Sequence, residues 1–160
     1  MKKLPHTFST LLLSLGLPAA SMAASDADIC AARNPAALEA APGAMYAAAR
    51  ISNGLVFVSG QIGVDPAAAA PVPDFETQML EALSRLERVL AQAGSSVANI
   101  QRATVYVVDP ANLATMNRLY REFFERHNAP LPARSLVPGL DFGNAIAFEI
   151  DVIAAQVDCD

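Results

Sequence analysis

Apolar residues recur at Phe75, Met79, Leu83, Leu86, Leu90 and Ala93, spaced by three and four. That spacing places them on one face of an α-helix of about five turns. Asp74 stands where a side chain can cap the first turn, and Gly94 where a helix ends in a left-handed residue. A second stripe runs through Leu113, Met116, Tyr120, Phe123 and His127. Asp109-Pro110 is a helix start, because proline costs nothing where no amide donor is needed. Pro130 and Pro132 stop any extension.

Elsewhere the pattern is that of strands. Residues 46–51 can extend, and Ser52-Asn53-Gly54 is a hairpin signal, since Asn-Gly supplies the positive φ angles of a tight turn. Residues 55–64 are β-branched and aromatic. Strict alternation puts Val56, Val58, Gly60, Ile62 and Val64 on one face, and Leu55, Phe57, Ser59, Gln61 and Gly63 on the other. Residues 65–73 read as a loop, marked by Pro66, Pro71 and Pro73. Residues 100–108 and 133–140 read as strands, the latter interrupted by Pro138. After a turn at 141–144, residues 145–157 are the longest strand candidate. The order β-β-α-β-α-β-β predicts a two-layer α+β domain, with two helices on one face of a mixed sheet.

The N-terminal pattern belongs to neither layer. Met1-Lys2-Lys3, an apolar run from Phe8 to Leu17, and Ser21-Met22-Ala23 have the order of a signal peptide, with cleavage expected after Ala23. The run falls short of the roughly 20 apolar residues a spanning helix needs. The expected organisation is a leader at 1–23, an alanine-rich arm at 24–45 and one domain at 46–160. The expected location is the periplasm or the exterior, with no membrane attachment after leader removal. Losing Lys2 and Lys3 with no acid moves the formal net charge from −5 to −7. Such a surface disfavours a nucleic-acid partner. His6 leaves too, so His127 is the single histidine of the mature chain, which excludes chemistry built on a histidine pair within one chain. Cys30 and Cys159 are an even pair, which in an oxidising compartment reads as a disulfide tying the termini together. Two unrelated thiols are the alternative. No P-loop, dinucleotide glycine motif or Cys/His metal cluster is present, so no cofactor or metal is expected.

Several polar residues interrupt the apolar pattern. In the last strand, Ile146, Phe148, Ile150 and Val152 can meet the helices, while Glu149 and Asp151 share the opposite face with alanines. A two-layer domain leaves that face uncovered, and an oligomer is one way to bury it. Arg134 lies on the neighbouring strand candidate. By residue pattern it is either a salt-bridge partner of Glu149 or an anchor for a ligand carboxylate. Ser59-Gly60-Gln61 marks either a bulge or a point of close approach. Asn117 sits one position off the second stripe, Tyr46 is a core or rim residue, and His127 is expected to be exposed near a helix end.

Together these segments resemble one family. Residues 55–66, reading Leu-Val-Phe-Val-Ser-Gly-Gln-Ile-Gly-Val-Asp-Pro, are similar to the strand signature of the reactive-intermediate deaminase (Rid, YjgF-type) proteins. Gln92-Ala93-Gly94-Ser95-Ser96, Thr104-Val105-Tyr106-Val107, residues 117–124, Pro132-Ala133-Arg134-Ser135 and Phe148-Glu149-Ile150-Asp151 follow in family order. The resemblance covers about Tyr46 to Ala154. It implies a chorismate-mutase-like fold, a homotrimer with sites between subunits, and hydrolysis of 2-imino or enamino acids to 2-oxo acids and ammonia. It implies that Arg134 holds the substrate carboxylate and that Glu149 positions water. Ser59 and Gly60 would then touch the ligand, Tyr46 close the pocket and Asn117 support its rim.

Three segments depart from the family pattern. Leu136 stands where many members have a cysteine. Ala44-Met45-Tyr46-Ala47-Ala48 replaces a usual Gly-Pro-Tyr-Ser-Gln, and Val137-Pro138-Gly139-Leu140 is unusual. The alternative function is a non-catalytic trimeric binding module for small carboxylates.

Overall fold

The computed structural model describes residues 37–40, 42–65, 70–143 and 145–157. The leader, Cys30 and Cys159 lie outside these residues. Among the described residues, eight strands and two α-helices follow one another as β1 (Ala37–Glu39), β2 (Ala47–Ser52), β3 (Leu55–Ile62), β4 (Val64–Asp65), β5 (Ala70–Pro71), α1 (Phe75–Gln92), β6 (Ile100–Val107), α2 (Leu113–Arg126), β7 (Ala133–Pro138) and β8 (Phe148–Ala155). Six strands form one sheet in the order β1-β2-β3-β8-β6-β7. Only the β6–β7 pair is parallel, and α2 makes the crossover it requires.

The first helix forms as its sequence dictates. The Asp74 carboxylate accepts hydrogen bonds from Thr77 N (2.9 Å) and Thr77 Oγ1 (2.8 Å). Gly94 takes φ +74°, and Ser95 N donates back to Leu90 O at 2.9 Å. Met79, Ala82, Leu83, Leu86 and Leu90 are buried against β3 and β8. From α2 come Met116, Leu119, Tyr120, Phe123 and Phe124. Phe148, Ile150 and Val152 of β8 join the same core cluster from the sheet. The β2–β3 turn has the expected form, with Asn53 (φ 52°) and Gly54 (φ 72°) between Ser52 and its partner Leu55.

The structure corrects the sequence reading in five places. Residues 37–39, assigned to a loose arm, pair with β2 and extend the sheet. The supposed loop at 65–73 holds the second strand of a small hairpin, in which Val64 pairs with Pro71. The second helix starts with a 3-10 turn, Pro110–Asn112, because Asp109 Oδ1 accepts from Ala111 N and winds the chain tightly before α2 begins. The last strand starts at Phe148, since Ala145 at φ +59° breaks the extended run. His127 is mostly covered, its side chain 13% exposed. Its Nδ1 lies 2.8 Å from Phe123 O and its Nε2 3.4 Å from Glu87 Oε1, because the end of α2 leans on α1.

One buried polar residue escaped the pattern. Gln78 lies on the apolar side of α1, three residues after Phe75 and four before Ala82, and is 1% exposed. Its Nε2 donates to Val72 O (2.7 Å) and Ala145 O (3.1 Å). Its Oε1 accepts from Ala147 N (2.6 Å) and Phe148 N (3.0 Å). The side chain therefore ties α1 to the chain entering β8. Gly63 lies against its backbone, where a Cβ would overlap Gln78 O. Gln78→Ala leaves buried backbone groups unpaired, which costs about 3 kcal/mol. The expected result is a thermal midpoint lowered by roughly 10 °C, read by calorimetry.

Candidate functional site

The interruption at Ser59-Gly60-Gln61 is a β-bulge. Val58 pairs with Val152, and the next pairing is Gln61 with Ile150, so β3 spends one residue more than β8. The face alternation reverses there. Gln61 turns inward and is buried at 6%, while Ile62 pairs with Glu149 on the open face. Gly60 is a tight packing point within the bulge, because a Cβ on it would occupy the space of the Glu149 carboxyl group. Ser59 Oγ donates to Ala47 O at 2.7 Å, and Gln61 Nε2 donates to Ser59 O at 2.9 Å. These bonds fix the bulge against β2.

The bulge opens a cavity of about 580 Å³. Tyr46, Ser59, Gly60, Gln61, Arg85 and Glu149 are among its walls. Four of the six residues singled out in the sequence therefore converge. Glu149 is half-buried, and burial, then the charge of Asp151, pushes its carboxyl above the ordinary 4.5. Tyr106, cross-strand from Glu149, has its phenol pushed up by burial and by the Asp151 and Glu149 carboxylates. Tyr46 stands at the rim, 64% exposed.

Arg134 and Asn117 lie elsewhere. Arg134 pairs with Ala103, which pairs with buried Val152, so it points to the helix side of the edge strand β7. Its Nη2 donates to Asn117 Oδ1 at 3.0 Å, its Nη1 lies 3.7 Å from Met116 Sδ, and its guanidinium stacks 4.8 Å from the Tyr120 ring centre. Burial raises the Tyr120 hydroxyl to about 12. The salt bridge to Glu149 that the sequence allowed does not form. Glu149 is in register with Tyr106 and Val137, one step off the inward-facing row, so the two side chains leave opposite faces of the sheet. Among the described residues no carboxylate lies within 4.0 Å of Arg134. Leu136, two residues on and on the same face as Arg134, packs against the core.

One chain thus presents two half-sites: a carboxylate-bearing cavity at the bulge, and a guanidinium held by an amide and an aromatic ring at the far edge. Sequence reasoning missed Arg85 in the first. It sits three residues after Ala82 and four before Val89, on the flank of the apolar stripe, and that placement was the signal available. No group of His, Cys, Asp and Glu suited to a metal occurs among the described residues.

Residues 36–156 match the family described as Endoribonuclease L-PSP. A 2-iminobutanoate/2-iminopropanoate deaminase of Salmonella typhimurium is 37% identical over 102 residues, covering 64% of this chain and 80% of that protein. The Escherichia coli protein named "Putative reactive intermediate deaminase TdcF" is 34% identical over 118 residues, 72% of this chain and 92% of that one. Among solved structures, the YjgF gene product of E. coli superposes with a TM-score of 0.67 at 31% identity, covering 77% of this chain and 96% of its own. E. coli TdcF with bound serine gives 0.65 at 31%, covering 78% and 94%. Fold, motif order and these matches agree: the chain belongs to the Endoribonuclease L-PSP family of YjgF-like, reactive-intermediate deaminase proteins.

Proposed function

We propose that this protein hydrolyses 2-imino and enamino acids to 2-oxo acids and ammonia. The reading is carried by the two half-sites, a half-buried Glu149 against Gly60 and an Arg134 with no carboxylate partner. They belong to one site only if the β7 edge of one copy meets the bulge cavity of another. The open sheet face supports such an assembly, since it carries Phe57, 42% exposed, paired with Ile153. The proposed assembly is a homotrimer with three such sites, exported by its leader to the periplasm or beyond.

In this site Arg134 binds the substrate carboxylate through two parallel hydrogen bonds, with Asn117 and Tyr120 fixing its plane. The imine carbon is already electrophilic, so positioning does most of the work. Glu149 accepts a proton from water as its oxygen adds to that carbon. That proton passes to nitrogen, giving a carbinolamine; the proton of the new hydroxyl then moves by way of Glu149 to the same nitrogen as the C–N bond breaks, so the carbonyl forms and ammonia leaves. Ser59 has its proton committed to Ala47 and offers an oxygen lone pair to the ligand. The TdcF structure holds serine, an α-amino acid whose carboxylate is the group Arg134 would bind. A ribonuclease reading lacks support here: His127 is engaged between α1 and α2, and the chain is acidic.

The test uses imines generated in situ by an amino-acid oxidase, with their decay followed with and without protein. Equal decay rates would remove the enzyme reading and leave a carboxylate-binding module. The same assay reads pH. Glu149 works as a carboxylate, and its folded-state pKa is raised, so kcat/KM is expected to fall on the acid side with a midpoint above 4.5. Removing the neighbouring charge in Asp151→Asn eases ionisation, and the midpoint is expected to move to lower pH. An unmoved midpoint would separate Glu149 from that limb.

A further inference from the structure

We propose that Arg85 is a specificity-determining residue that receives an anionic substrate side chain, so that the cavity favours imines of acidic amino acids over those of small neutral ones. The proposal rests on the deaminase reading of this cavity and names its substrate class. Arg85 lies on the flank of α1 and lines the same cavity as Glu149 and Gly60. Among the described residues its buried Nε has no hydrogen-bond partner and its guanidinium makes no salt bridge. The acids near it on the helix are engaged elsewhere: Glu81 is bound by Arg88 at 3.1 Å, and Glu87 faces His127 at 3.4 Å. Glu149, across the cavity, is more than 4.0 Å away. A cation with a buried, unpaired N–H is costly to keep. A bound anion is the partner that removes the cost.

The surroundings of Arg85 fit a carboxylate better than a methyl group. A second hollow of about 200 Å³ adjoins it, lined by Gln61, Arg85, Arg88, Val89 and Gln92. Gln61, Arg85 and Val89 border both spaces, so the guanidinium stands where the two hollows adjoin. Two cations and two amides against one valine make a polar end wall. A side chain of two or three carbons ending in a carboxylate would reach it from a reacting carbon held at Glu149. Arg85 also offsets the repulsion between such a side chain and the Glu149 carboxylate.

Calorimetric binding of two product-like acids to the full mature chain tests this. 2-Oxoglutarate carries the second carboxylate and 2-oxobutanoate lacks it. The wild type is expected to bind 2-oxoglutarate more tightly. Arg85→Ala is expected to weaken 2-oxoglutarate about 10–100-fold, the range of a charged hydrogen bond, and to leave 2-oxobutanoate unchanged. Arg85→Lys keeps the charge and is expected to retain part of the preference, which guards against a folding defect in the alanine variant. Equal affinity for the two acids in wild type, or equal losses for both in Arg85→Ala, overturns the proposal. Imine turnover is measured alongside. Turnover without an Arg85-dependent preference sinks the specificity claim alone, whereas the preference without turnover sinks the deaminase reading and leaves Arg85 as a carboxylate-selecting residue.

Discussion

Arg134→Ala is expected to lower kcat/KM for imine hydrolysis by about 10³-fold, since losing one partner of a hydrogen-bonded charge pair costs roughly 2–5 kcal/mol. The loss divides between binding and chemistry. In the proposed site the anchored carboxylate both retains the substrate and sets its imine carbon against the water at Glu149. Stability should hardly change, because Arg134 is exposed on an edge strand and its contact with the Tyr120 ring is worth about 0.5–1 kcal/mol at such a site. Arg134→Lys keeps the charge but gives up the planar fork and the stacking. It should therefore recover only part of the rate. Kinetics with several imines, alongside a thermal melt, measure both. An Arg134→Ala enzyme of wild-type activity would mean that the carboxylate is held elsewhere.

Why Arg134 could not be assigned from residue pattern alone is visible in the sheet. A charge pair across neighbouring strands is the ordinary fate of an Arg and a Glu. The sequence contains no sign that β6 would lie between β7 and β8. Strand order places the two residues on opposite faces, and order is set by long-range packing. The helices, by contrast, were legible because their stripes, caps and stops are local: Asp74 and Gly94 act where the pattern put them, while Asp109 caps the 3-10 turn just before α2. The bulge was half legible. Gly60 announced an irregularity, but only the pairing of Gln61 with Ile150 shows which residues turn inward after it. Gln78 and Arg85 were hard to read for opposite reasons. Gln78 is polar on an apolar stripe and is satisfied by backbone groups far away in sequence, among them Ala145, Ala147 and Phe148. Arg85 looks like any solvated helix cation until the cavity beside it is seen.

The separation of the two half-sites gives the sharpest expected result. Arg134→Ala and Glu149→Gln should each be nearly inactive as pure proteins, yet mixed and reassembled trimers should regain activity. In a ring where each site takes Arg134 from one subunit and Glu149 from the next, a mixed trimer contains junctions with both groups intact. Random assembly in equal proportions makes about one quarter of all junctions intact, so about one quarter of wild-type activity is expected. A site built within one chain predicts none, since every chain then lacks one group. The geometry favours the first outcome: the inward row Arg134–Ala103–Val152 and the outward row Val137–Tyr106–Glu149 keep the guanidinium and the carboxylate on opposite sides of one sheet. No side-chain rotation brings them together. Unfolding and refolding the mixture, with each pure variant treated alike, supplies the comparison. Activity that stays at the level of the pure variants would show that the half-sites do not meet across subunits.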